Sequence, residues 1–491
     1  MNVTRRYFAV ARGAPRPVPP PLRAPFGWPI VALAADAPIT LTWPNHSLSD
    51  YTGGWLRFTT SVDDRENRHI SVRLAMSGQV LGACDLRHAP SLTPCELRLD
   101  AKAVAAAVRE GLVLSVEGGS RPLWLLAPGL PPEAVALAPH LLSDVGTGAA
   151  AQVFFNTLAS SATLQPFGWM EGCVLDGLYD LYVASGDRRF HRALQLHFNA
   201  FVHRDGKLIY ENPRGEVADG KLITIEATLP FGVFAKVDPE HPLLGLALDF
   251  WRTRTTAAGV IQDGDTLSAE GAYTIAYPLA LIAGVRGDAD LARLAAEQLR
   301  VRCRRLWHEG ARWLRCTDRG ERTFRNWARG VAWYFLGLVR TTSVLHAFID
   351  TTEFEVEVRA CAAFVRRHQG ADGLWACFFG ETSVSADTSG SAGIAAALAL
   401  GHRAGWLEDA DKVAAARTWA ALLRYLTPDG LLGGAAPANR GGEALQRSSH
   451  RVLSPIGMGL MGQLAAALSV AEINPPQILS GSADDKRAIK V

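Results

Sequence analysis

Arg325-Asn326-Trp327-Ala328-Arg329-Gly330-Val331-Ala332-Trp333 sets two indoles and two guanidiniums on a glycine-broken stretch that runs into an apolar helix. Flat aromatic faces stack on sugar rings, and the planar guanidinium fork pairs with a carboxylate through two parallel bonds. Two glutamates stand in apolar surroundings in the same half of the chain. Glu226 lies in Leu222-Ile223-Thr224-Ile225-Glu226-Ala227 and Glu270 in Leu267-Ser268-Ala269-Glu270-Gly271-Ala272-Tyr273, each followed a few positions later by proline. Cleaving a glycosidic bond takes a proton for the leaving oxygen and a second carboxyl that activates water or steadies charge; two carboxyls with separated pKa values supply both. The set predicts acid–base chemistry on a sugar that carries a carboxylate. Glu270 is the expected proton donor and base, with Glu226 holding ring hydroxyls and tuning its partner. Arg329 is the expected carboxylate clamp, with Arg325 behind it, and Trp327, Trp333, Trp169 and Tyr273 are candidate stacking surfaces.

Each of these residues also has a plainer reading. A glutamate at a helix start is favoured by the macrodipole, Arg325 fits a surface salt bridge, and indoles fill helical cores. Asp387-Thr388-Ser389-Gly390-Ser391-Ala392 reads as a helix N-cap followed by small packing residues, since no Gly-x-Ser-x-Gly elbow is present. Asp263-Gly264-Asp265 reads as a turn.

The elements that must position these groups fall into two textures. Between about residues 36 and 128 the period is that of strands: Leu56, Phe58, Thr60 and Val62 alternate with Arg57, Thr59 and Ser61, and Ile70, Val72, Leu74 and Met76 alternate with Ser71, Arg73 and Ala75. One face is expected to be buried and the other wet. Short runs at 96–99, 112–116 and 123–126, with a helix near 101–109, complete an antiparallel β-sandwich over residues 1–135, and Pro128-Gly129-Leu130-Pro131-Pro132 reads as a linker. From 140 to 473 the pattern is helix, short turn, helix, with helices near 172–184, 190–203, 226–237, 241–254, 270–285, 288–306, 327–347, 354–369, 388–404, 409–426 and 454–471. Helices apolar on more than one side predict a double ring with a cleft built at one end. The fold class expected is mainly α, a helical toroid behind an N-terminal sandwich, with a polar tail at 474–491.

Composition excludes several classes. Fifty basic and 48 acidic residues are well mixed and give a net charge of +2, so neither a nucleic-acid surface nor an acidic tail is expected. Seven scattered cysteines without ligand spacing read as buried free thiols, and scattered histidines predict no metal site. No cofactor is expected. Arg12, Pro15 and Pro17 interrupt the N-terminus before a signal-peptide core builds, and no window is long and apolar enough to span a bilayer, so a cytoplasmic protein is expected.

Several pieces line up in order with one known pattern. Gly168-Trp169-Met170-Glu171-Gly172, Leu175-Asp176-Gly177-Leu178-Tyr179-Asp180, Ile225-Glu226-Ala227-Thr228-Leu229-Pro230, Glu270-Gly271-Ala272-Tyr273, Trp327-Ala328-Arg329-Gly330-x-x-Trp333, Asp372-Gly373-Leu374-Trp375 and Ser389-Gly390-Ser391-Ala392 together resemble glycoside hydrolase families 88 and 105, the unsaturated uronyl and rhamnogalacturonyl hydrolases. The resemblance spans roughly residues 150–470 and implies an (α/α)6 barrel. It is shared in part with the family 154 β-glucuronidases. The families carry aspartates where this chain has Glu226 and Glu270. A sugar-contacting histidine expected before Trp327 has His308 as its nearest candidate. The function implied is an exo-acting hydrolase that releases a terminal uronic acid, saturated or 4,5-unsaturated, from an oligosaccharide. Two alternatives compete: a polysaccharide lyase on the same toroid, and a catalytically silent uronide-binding protein. A homodimer made through the sandwich is compatible with the sequence.

Overall fold

Strand Gly53–Thr59 departs from the expected alternation: it is buried along nearly its whole length. The strand lies inside a four-stranded antiparallel sheet, between strands His140–Ser143 and Pro94–Asp100. Its outward-facing Arg57 is covered as well, bonded to Asp429 Oδ2 at 2.6 Å and to Glu96 at 2.8 Å. A guanidinium can be enclosed only when its donors are met by acceptors, and here a segment far along the chain supplies one of them. The computed structural model describes residues 5–14, 16–44, 53–143 and 148–470, so the tail expected at 474–491 lies outside the described residues.

The chain divides into two compact units. The first comprises Met1–Pro166, Tyr210–Val217 and Leu426–Pro455. In it a five-stranded antiparallel sheet accompanies the four-stranded one. Leu56 and Phe58 of one sheet and Ile70, Val72 and Leu114 of the other share one apolar core with Val104 and Ala107 of helix Ala101–Glu110. Strand His69–Leu74 shows the expected alternation, burying Ile70, Val72 and Leu74. Met76, expected to continue that buried face, sits in the following turn and is 78% exposed. Leu22 bridges Glu216, and Arg440 joins Asp63, which ties both later segments to the strands.

The second unit, Phe167–Ile209, Ala218–Tyr425 and Ile456–Val491, is helical with one small sheet. Helices Trp169–Ser185, Pro230–Val237, Tyr277–Arg286, Ala328–Leu345 and Thr388–Arg403 neighbour one another in that order. Helix Pro455–Ala467 continues the series: a Cβ on Gly393 would lie 3.5 Å from Leu460, and a Cβ on Gly177 would lie 2.5 Å from the carbonyl of Gly459. Helices Arg188–Phe201, Leu243–Arg254, Ala289–Leu306, Thr352–Arg367 and Asp409–Leu422 pack against this series. The series helices are buried on nearly every side; Ala328–Leu345, for example, encloses Arg329, Trp333, Tyr334 and Arg340. A helix sealed on all faces belongs to an interior layer. Among the described residues no helix is long and apolar enough to cross a membrane.

The small sheet was not anticipated. Strand Ala311–Thr317 pairs with Thr266–Ser268, Trp307–His308 and Arg322–Arg325, all antiparallel. All seven cysteines are free, and six of them are buried.

Candidate active site

Glu226 and Glu270 are 44 residues apart in the sequence but are brought together at the starts of neighbouring helices. Glu226 sits in the 3-10 turn Ile225–Thr228 that leads into Pro230–Val237. Asp263 Oδ2 accepts the N–H of Ile225 at 3.1 Å and fixes that turn. Gly168, at φ 123°, lies against it: a Cβ there would stand 3.3 Å from the carbonyl oxygen of Glu226. Only glycine adopts that φ without strain while allowing such close approach.

Glu270 follows strand Thr266–Ser268 and opens into a single π-turn, Ala272–Ala276, ahead of helix Tyr277–Arg286. Single π-turns inside helices are often found at functional sites. The Ser268 hydroxyl donates to Glu270 Oε2 at 2.8 Å, and the Glu270 N–H donates back to that hydroxyl at 3.1 Å. Beneath them the fully buried Arg302 donates to the carbonyls of Ser268 at 3.0 Å and Ile261 at 2.9 Å. Its fork occupies the space where any side chain at Gly271 would go.

The two carboxyls lie near enough for each to act on the other's ionisation. Burial first, and the facing Glu270 carboxylate second, push Glu226 well above the usual carboxylate range, while Arg315 pulls partly the other way. The raised pKa favours the protonated form of Glu226. Arg315, which the sequence reading did not single out, stands 3.8 Å from Glu270 Oε2 with its side chain 34% exposed.

The indoles take different places. Trp169 is half-buried at the first position of its helix and meets Trp333 edge-on at 5.3 Å. Trp333 stacks on Tyr273 at 6.2 Å, and its indole N–H has no acceptor among the described residues. A buried donor without a partner calls for an explanation, and a ligand oxygen is one that suits a sugar site. The Tyr273 hydroxyl is committed to Asp176 at 2.7 Å. Trp327 is enclosed in the core as the N-cap of its helix, with the Arg329 guanidinium over its ring at 4.7 Å.

Arg329 is only 2% exposed; it donates to Ser389 Oγ at 3.1 Å and faces Asp387 Oδ2 at 3.8 Å. Its recorded partners are protein groups at the start of helix Thr388–Arg403, where Asp387 caps Ser389 as expected. Arg325 is exposed on the hairpin, opposite Trp313 in register. His308 is exposed on the short strand Trp307–His308 and faces Glu309 at 3.4 Å. Asp263-Gly264-Asp265 forms a turn, with Gly264 at φ 60°, and among the described residues no group of three or more His, Cys, Asp or Glu is arranged to hold a metal.

Comparisons with known proteins bear on the fold and the family pattern. The Glycosyl Hydrolase Family 88 model matches residues 303–459. Among solved structures, a family 105 glycoside hydrolase from C. acetobutylicum superposes with a TM-score of 0.56 at 18% identity, over 66% of this chain and 100% of that one. The unsaturated glucuronyl hydrolase of Bacillus sp. GL1 gives 0.51 at 19% identity, over 66% and 95%. A polysaccharide lyase gives 0.53 at 16% identity, over 67% and 100%. No curated protein sequence matches. The resemblance to families 88 and 105 drawn from the motifs is borne out.

Proposed function

We propose that the chain is an exo-acting glycoside hydrolase that removes a terminal 4,5-unsaturated uronic acid from an oligosaccharide, with Glu226 and Glu270 as the reacting groups. The observation carrying this reading is the convergence of the two carboxyls, with burial and the facing Glu270 raising the pKa of Glu226. A raised carboxyl beside a second one can give a proton and take one back at the same place.

Hydration of a vinyl ether suits such a pair. Glu226 gives its proton to C4 of the double bond, and C5 gains positive charge shared with the ring oxygen. Water adds to C5 while Glu270 accepts a proton from it. The hemiketal opens between C5 and the ring oxygen, and the hemiacetal left at C1 then expels the hydroxyl of the next sugar. One water is consumed, and the pair again holds one proton, now on Glu270. Trp169 and the unpartnered N–H of Trp333 would face the ring. The succession of six neighbouring helices backed by a second layer supports the closed (α/α)6 toroid as the scaffold.

The similarity to a polysaccharide lyase motivates a second reading. A lyase on this scaffold needs a tyrosine or histidine base. Burial, and then the Asp176 carboxylate, hold Tyr273 well above its usual pKa, which makes it a poor one. The test is turnover of an unsaturated uronyl disaccharide beside its saturated counterpart. The expected result is loss of the double-bond absorbance with release of the second sugar, at least a hundredfold faster than cleavage of the saturated compound. Equal rates on both would overturn the hydration route, a growing absorbance on polymer would establish the lyase, and tight binding without product would establish the silent binder.

A further inference from the structure

Arg329, the expected clamp, is 2% exposed and turned to Ser389 and Asp387, so a more open guanidinium is better suited to read the substrate's carboxylate. Hairpin Ala311–Thr317 with Arg322–Arg325 offers one. Along its first strand Arg312, Leu314 and Cys316 are buried, whereas Trp313 and Arg315 are half-exposed. Successive side chains on a strand point to opposite faces, so Trp313 and Arg315 share the open face. Their partners in register share it too: Arg325 opposite Trp313, and Thr323 opposite Arg315. On its other edge Arg315 is paired with Ser268, whose hydroxyl holds Glu270. The backbone register thus sets one open guanidinium beside the acid pair, with an indole two residues away.

The surrounding arginines are differently committed. Arg302 is spent on carbonyls, and Arg312 is bound to Glu357 and lies 4.2 Å over the Tyr334 ring. Arg340 is bound to Asp180 and, at 2.8 Å, to Gln463. Arg315 has its nearest recorded carboxylate at 3.8 Å, beyond a direct hydrogen bond, and keeps about a third of its side chain exposed.

We propose that Arg315 binds the carboxylate of the terminal uronic acid, with Trp313 as the stacking surface beside it, so that the sugar's acid group is read by the β-hairpin and not by the Trp-Ala-Arg-Gly segment. The assignment rests on the uronide reading above. It also explains why a cation is held near Glu270 without a close ion pair: its fork is open to a second carboxylate.

The test compares Arg315→Gln and Arg315→Lys with the wild type on an unsaturated uronyl disaccharide and on its neutral methyl ester. Arg315→Gln is expected to lower kcat/KM for the acid on the order of a hundredfold, mostly through KM, and to leave the ester within about threefold. Arg315→Lys is expected to recover part of the loss, a point charge lacking the bidentate fork. Equal losses on acid and ester, or a displaced pH profile on both, would overturn the proposal and make Arg315 a positioning residue for Glu270. Calorimetric titration with a free uronate separates this result from failure of the proposed reaction. If no uronide is turned over, weaker uronate binding in Arg315→Gln but not in Glu270→Gln still supports the clamp, and unchanged binding refutes it.

Discussion

Asp176 and Glu226 are both carboxylic acids of the second unit, Asp176 fully buried and Glu226 partly exposed, and their surroundings drive them apart. Asp176 accepts from Lys236 Nζ at 2.7 Å and from the hydroxyls of Tyr273 at 2.7 Å and Tyr277 at 3.2 Å. Burial opposes its ionisation, but Lys236 and Arg340 outweigh burial and hold its pKa below the usual range. Glu226 meets another carboxyl, and its nearest cation is the partly solvated Arg315, so burial and like charge prevail and its pKa rises. Enclosure alone therefore does not make a reactive acid. A matched cluster is a structural core, and an unmatched pair stores a proton that can be given away. The two clusters are joined through Tyr273, which bonds to Asp176 and stacks beneath Trp333.

The comparison can be broken most sharply at Glu226. Glu226→Gln and Glu270→Gln are each expected to lose on the order of a thousandfold in kcat on an unsaturated uronide while keeping the wild-type circular dichroism. The mirror experiment is Asp176→Asn, which strands Lys236 and Arg340 without their shared counter-charge. It should lower unfolding free energy by about 3–5 kcal/mol in denaturant titration. The pH dependence sharpens the contrast, because the two slopes have opposite sign. Glu226 has a raised folded-state pKa, so its contribution to stability is complete below the unfolded value of about 4.3 and is lost as pH rises through the folded value. Asp176 has a depressed one, so its contribution is present above about 3.9 and is lost as pH falls through the folded value. Glu226→Gln should accordingly be more stable than wild type at alkaline pH, by on the order of 1–2 kcal/mol in thermal or denaturant unfolding, with little difference near pH 4. The smallest effect is expected at His308: exposed on its short strand, His308→Ala should change stability by less than about 0.5 kcal/mol and leave the rate within twofold. A large loss of rate there would place the missing sugar contact on that strand after all.

Much of this was legible in the sequence, for identifiable reasons. The helices carried their own starts and stops, so Ala289–Leu306, Ala328–Leu345 and Thr388–Arg403 fall within a few residues of their expected ranges. The two glutamates stood out because each opens an apolar helix. Their convergence needed the order of the motifs, which matched a family pattern. The hairpin that carries Arg315 went unseen because its buried face includes Arg312, whose partner Glu357 is 45 residues away. An alternation test that expects only apolar residues inside therefore fails. Its remaining signal was the Asp318-Arg319-Gly320 turn between two short β-rich runs. The enclosure of Arg57 and the recruitment of Tyr210–Val217 and Leu426–Pro455 into the first unit depend in the same way on partners distant in the chain, Asp429 and Arg440 among them. Local patterning showed which residues prefer burial, and the long-range ion pairs decided which charged ones could join them.

The central claim is that Glu226 keeps its proton well above the usual carboxylate range because it is desolvated and faces Glu270. Carboxyl ¹³C NMR on glutamate-labelled protein, titrated across pH and assigned with Glu226→Gln, measures this directly. The account predicts one glutamate signal that ionises well above the ordinary carboxylate range and disappears in Glu226→Gln. A spectrum in which every glutamate ionises near the ordinary value of about 4.3 would contradict it.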